Sequence, residues 1–124
     1  MQPIALIIED DAKLAEIFSE AVKAAGFEAI VSVNGRAALE LLPTTTPTLI
    51  LLDLHLPDIP GSEVLAAIHQ EPRLQKSIVM LTTADAWLAE TLRPEVDFVL
   101  MKPISYAQLR DLAERLRPSA KNTS

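Results

Sequence analysis

The chain has no cysteine. That excludes a disulfide framework and any thiolate metal site. It has no run of basic residues either, and its 124 residues carry a net charge of −6. A nucleic-acid binder needs clustered cations to displace phosphate counterions, so direct contact with DNA or RNA is not expected. Long apolar stretches are also missing. The N-terminal run Ile4 to Ile8 ends at Glu9 and Asp10, too short for a signal peptide or a membrane span. The expectation is a cytoplasmic protein that does not contact the membrane. Disorder is excluded by a composition that is 49% hydrophobic and 23% charged, ordinary for a folded domain.

What is present is an alternation of two periods. "IALII" (4–8), "FEAIVS" (27–32), "TLILL" (48–52), "SIVML" (77–81) and "DFVLM" (97–101) read as strands. All but the second are nearly continuous in apolar character, as in parallel strands covered on both faces. Between them lie helical patterns. In 11–25, Leu14, Ile17, Phe18, Ala21, Val22 and Ala25 follow i, i+3, i+4 spacing, and Gly26 stands where a helix end takes positive φ. Asn34 is placed to cap a second helix, and a third follows Gly61 with Val64, Leu65 and Ile68 inward. A last helix spans 106–117, with Ser105 and Gln108 fitting a capping box and Ile104 and Leu109 a hydrophobic staple. For 84–95 only a short helix is predicted, because Pro94 stops it. The fold expected is α/β: one doubly wound (βα)5 domain over 1–117, with a five-stranded parallel sheet and helices on both faces. Residues 118–124, "PSAKNTS", read as a polar tail.

In such sheets, ligands bind beyond the carboxyl ends of the strands, where strand order reverses. The first strand ends in Glu9-Asp10-Asp11, the third in Asp53, the fourth in Thr82-Thr83 and the fifth in Lys102-Pro103. A buried strand that delivers Asp53 to its mouth goes against the preference of aspartate for water. Two carboxylates about 5 Å apart repel by about 3 kcal/mol at an effective dielectric near 20, so the set demands a cation. Oxygen ligands without His or Cys select Mg²⁺, which shares its shell with phosphate. A metal beside a carboxylate, a hydroxyl and a lysine is a set for phosphoryl transfer.

In order and spacing, "LIIEDD", "LILLDLHLPDIPG", "VMLTT" and "LMKP" resemble the receiver domain of two-component response regulators, over essentially the whole chain. The resemblance implies that Asp53 is the phosphoacceptor. It implies that Asp10 ligates Mg²⁺ directly, Glu9 largely through water, and His55 through its backbone carbonyl, with Asp53 completing the set. Thr82 would be the hydroxyl that moves to the phosphoryl group and Lys102 its counter-ion, before a cis peptide to Pro103. The partners implied are a sensor histidine kinase or phosphotransfer protein upstream, and downstream a protein, an output domain or a second copy of the chain. The activity implied is signalling by a phosphoacceptor, with no enzymatic product beyond its own slow dephosphorylation. Three positions depart from the family pattern. Glu9 stands where aspartate is more usual. Thr83 replaces a smaller residue and is expected to narrow access to the phosphate. Val99 takes the place of an aromatic, with Phe98 one position earlier and expected on the opposite face.

Blander readings fit several neighbours. Asp11 reads as a helix cap, Asp58 as turn chemistry in "PDIPG", His55 as a loop side chain and His69 as a solvent-facing helix residue. Thr44 to Thr46 read as loop, and Trp87 as partial packing. Two rival functions remain. One is a receiver-like module that binds or dimerises without phosphorylation. The other is a Mg²⁺ phosphohydrolase, but there the nucleophile follows the first strand in a D-x-D pattern, and here that strand gives E-D-D.

Overall fold

Five aliphatic segments form one parallel sheet in the computed structural model, which describes residues 2–118. The strands are β1 (Ile4–Ile8), β2 (Glu28–Ser32), β3 (Leu49–Asp53), β4 (Ile78–Thr83) and β5 (Phe98–Met101). The helices are α1 (Ala12–Ala24), α2 (Gly35–Leu41), α3 (Gly61–Gln70), α4 (Ala86–Leu92) and α5 (Tyr106–Leu116). Strand order is β2-β1-β3-β4-β5. The chain therefore leaves β1 toward one edge and returns on its other side, so strand order reverses between β1 and β3. This is the doubly wound α/β architecture expected.

Every residue of β3 is buried, and so are four of five in β1. Strands enclosed on both faces need apolar side chains in both directions. One buried cluster, with Ala5, Ile7, Leu49, Leu51, Met80 and Leu100, packs under α1 and α5 through Phe18, Val22, Leu109 and Ala113. The other, with Leu6, Ile8, Ile50, Leu52, Val79 and Leu81, packs under α2 and α3 through Ala38, Val64, Leu65 and Ile68. β2 is the exception expected from its mixed composition, an edge strand with Glu28 and Val31 exposed.

Helix boundaries follow local chemistry. The Asp11 carboxylate accepts from the N–H groups of Lys13 and Leu14 at 2.9 and 3.0 Å, so Asp11 is the cap of α1. Asn34 caps α2 through the Ala37 N–H at 2.8 Å. The Ser105 hydroxyl accepts from the Gln108 N–H at 3.0 Å, and Ile104 and Leu109 lie in one buried cluster. Gly26 has φ of 99° just beyond α1. Strands β2 to β5 each begin one residue later than expected, and three further differences stand out. β3 runs one residue further, so Asp53 is the last residue of the strand and is in register with Thr82. β4 likewise includes both threonines, because parallel pairing with β5 continues to Met101. The segment 84–95 splits into α4 and a 3₁₀ turn over Arg93–Glu95, with Pro94 inside the turn. A second 3₁₀ turn, Pro72–Leu74, carries Arg73. Its guanidinium donates to the carbonyls of Leu42 and Thr45 and to the Thr46 hydroxyl, fixing the threonine loop after α2. Of the tail read over 118–124, all but Pro118 lies outside the described residues.

Candidate functional site

Alternation along the strands decides which side chains meet. Ala5 and Ile7 face α1 and α5, so Glu9 does too; Leu49 and Leu51 set Asp53, Met80 sets Thr82, and Phe98 and Leu100 set Lys102. Four polar groups from remote segments thus continue one apolar face past the carboxyl edge of the sheet. The apolar residues lie under helices and the polar ones fall where β1 and β3 part.

The distances bear this out. Lys102 Nζ lies 3.0 Å from Glu9 Oε1 and 3.5 Å from Asp53 Oδ1. Glu9 and Asp53 are 1% and 3% exposed. The second Glu9 oxygen accepts from the Asp11 N–H at 3.2 Å, and Asp53 Oδ1 accepts from the His55 N–H at 3.1 Å. Asp10 is exposed, and carboxylate oxygens of Glu9, Asp10 and Asp53 lie within 4.8 Å of one another. Burial is the dominant influence on Glu9. It raises the carboxyl above its ordinary value, aided by Asp53 and opposed by Lys102 and the Asp11 amide. Two buried acids share one half-buried ammonium, and a third acid stands exposed beside them. Such a site retains demand for positive charge, and its donors are all hard oxygens suited to a divalent cation.

Residues 5–114 match the response regulator receiver domain family. The polar-differentiation response regulator DivK of Brucella anthropi is 32% identical over 103 residues, covering 81% of this chain and 84% of DivK. The chain belongs to the response regulator receiver domain family.

The DNA-binding response regulator MtrA of Mycobacterium tuberculosis is 34% identical over 108 residues; the receiver domain spans 84% of its own chain in that match and 46% of MtrA. Among solved structures, a CheY-like receiver domain from Methylobacillus flagellatus superposes with a TM-score of 0.83 at 28% identity, covering 94% of this chain and 99% of that one. Receiver domains are signalling modules that work with histidine kinases and output partners. Among the described residues no helix is long and apolar enough to cross a membrane.

The remaining residues singled out from sequence divide. The Lys102–Pro103 peptide is cis, and Phe98 and Val99 pack into opposite clusters, as expected. Thr82 is buried beside Asp53 in register. Thr83 is fully buried and its hydroxyl accepts from the Asp85 N–H at 3.0 Å. It therefore shapes the turn into α4. Trp87 is 73% exposed, not partly packed, because the short α4 turns Leu88, Ala89 and Leu92 inward instead. His55 and His69 are exposed, and His55 Nε2 lies 3.9 Å from Asp85 Oδ2.

Asp58 does more than its turn requires. Its carboxylate accepts from the N–H groups of Gly35 and Arg36 at 2.8 Å each and of Ile59 at 2.9 Å. Desolvation alone would raise this carboxyl, but those backbone donors outweigh it and hold it below the usual range. Sequence reasoning missed this contact. Asn34 already fills the local cap of α2, so nothing in the sequence calls for a second acceptor from a loop 22 residues away.

Proposed function

We propose that this receiver domain accepts a phosphoryl group on Asp53 from the phosphohistidine of a sensor histidine kinase or phosphotransfer protein. The observation that carries the reading is the contact of Glu9, Asp53 and Lys102 at the reversal of strand order, with Asp10 within reach. The donor set fits Mg²⁺: Glu9, Asp10 and Asp53 would hold it with the His55 carbonyl. When bound, Mg²⁺ supplies charge neutralisation to the phosphoryl oxygens.

The chain's own groups then have distinct roles. The His55 amide and Lys102 hold Asp53 Oδ1, which leaves Oδ2 to attack phosphorus as the donor's P–N bond breaks and its imidazole keeps the electron pair. Lys102 would turn from Glu9 toward the new phosphoryl charge, and the Thr82 hydroxyl would donate to a phosphoryl oxygen. Slow hydrolysis at Asp53 returns the resting state, so the domain acts as a switch and not as an enzyme with an external product. A phosphoryl group adds nearly two negative charges, which bias the surface toward a downstream protein, an output domain or a second copy. The cytoplasm is where this partnership would operate.

The test is intact-mass analysis after acetyl phosphate or phosphoramidate with Mg²⁺. Wild type should gain one phosphoryl group, and Asp53→Asn none. Equal labelling of both would assign the wrong acceptor. No labelling of wild type would leave a module that binds without phosphorylation, a reading favoured by Glu9 and Val99.

A further inference from the structure

We infer that Asp58 is a positioning residue for the phosphoacceptor loop, anchoring residues 54–60 to the N-terminus of α2. This inference rests on the reading of Asp53 and Mg²⁺ above. The loop leaves β3 at Asp53 and carries His55, so its conformation sets where the His55 carbonyl and amide point. At its base it is closed by the Gly61 N–H, which donates to the Leu54 carbonyl at 3.1 Å. At its tip the only side-chain hydrogen bonds to another element, among the described residues, are those that Asp58 accepts from Gly35 and Arg36.

Two further observations support an anchor over an incidental surface contact. The loop is pressed against α2 so closely that a methyl group on Gly35 would lie 2.2 Å from Ile59 Cγ1 and 3.3 Å from Asp58 Oδ1. A side chain at position 35 would force the Ile59 side chain to shift. In addition, α2 already has its own cap in Asn34, so the helix does not need Asp58 to satisfy that end alone. The acceptor is an anion placed at the positive end of the helix, and it bonds first-turn amides that have no intrahelical partner. An element without ligand contacts, α2, thereby becomes the rigid support of a loop that bears two groups of the site.

The two caps of α2 give the experiment its control. Asn34→Ala removes only the partner of the Ala37 N–H and leaves in place the Gly35 and Arg36 amides that Asp58 bonds, whereas Asp58→Ala releases the loop. Mg²⁺ titration should show wild-type affinity in Asn34→Ala and a loss of about tenfold in Asp58→Ala, the lower end of what outer supports of metal ligands contribute. Asp58→Asn, which retains one acceptor oxygen, should recover part of the loss. Amide hydrogen exchange in 54–60 should accelerate in Asp58→Ala and not in Asn34→Ala. Wild-type affinity and unchanged exchange in Asp58→Ala would overturn the inference, as would equal Mg²⁺ losses in both alanine variants. Absence of Mg²⁺ binding by wild type would instead overturn the reading on which the inference rests.

Discussion

Glu9→Gln should stabilise the metal-free protein and abolish most of its response to Mg²⁺. At 3.0 Å, the attraction of Lys102 for Glu9 is about 5.5 kcal/mol at an effective dielectric of 20, and repulsion from Asp53 at up to 4.8 Å is at least about 3.5 kcal/mol. The balance favours ionised Glu9 by only about 2 kcal/mol. Desolvating a carboxylate costs several kcal/mol, and Glu9 is 1% exposed, so the charge is a net cost. The raised pKa has the same sign. A folded-state value above the ordinary 4.5 means that the protonated acid is favoured by folding. That contribution is fully present below the unfolded value and is lost as pH rises through the folded one. At pH 7 in EDTA, Glu9→Gln should therefore be more stable by about 1 kcal/mol, a few degrees in melting temperature, and the gap should close below pH 4.5. Mg²⁺ at 100 times its dissociation constant adds about 2.7 kcal/mol. It should do so for wild type but far less for the variant, reversing their order. Thermal unfolding in EDTA and in Mg²⁺, at pH 4 and 7, checks all of this. A variant less stable than wild type in EDTA at pH 7 would show that the Lys102 pair outweighs desolvation and would refute the reasoning.

Two residues one position apart should separate cleanly: Asp10→Asn is expected to weaken Mg²⁺ binding without changing metal-free stability much, whereas Asp11→Ala should lose about 1 kcal/mol as a helix cap and keep its metal. Metal titration alongside urea unfolding distinguishes them, and the opposite assignment would mean that the register at the end of β1 is wrong. Trp87 stands exposed on α4, just beyond β4, so its emission should shift when beryllofluoride and Mg²⁺ occupy the site and draw Thr82 toward Asp53. The shift should be absent in Asp53→Asn and smaller in Thr82→Ala; a static spectrum with demonstrated ligand binding would rule out α4 as the route to the surface.

The fold was legible because parallel strands covered on both faces leave unbroken aliphatic runs, and because α1, α2 and α5 each start at a residue whose side chain caps it, Asp11, Asn34 and Ser105. The acid edge was legible for the same reason: polar residues that end such runs must emerge at one side of the sheet. What escaped reading were contacts that join segments with no shared period. Asp58 reaches α2, Arg73 ties the loop after α2, and Lys102 pairs with Glu9 across 93 residues. Each depends on how far a loop folds back, which neither alternation nor spacing specifies. Trp87 escaped for a different reason: α4 has only seven residues, too few for its apolar pattern to say which face would be covered.

The continuity of the apolar face of the sheet with the polar site makes the reading frame of each strand a functional constraint. A one-residue slip in the register of β3 would turn Asp53 toward the α2–α3 side and carry Leu49 and Leu51 out of their cluster with it. The aim of the carboxylate and the packing of the core are therefore set by the same register. Insertions are tolerable only beyond the strand ends, and there the β3–α3 connection is already pinned at its base and its tip. Variation in length should therefore concentrate at the opposite edge of the sheet, in connections such as the threonine loop before β3, where a change in length leaves the four polar side chains where they are.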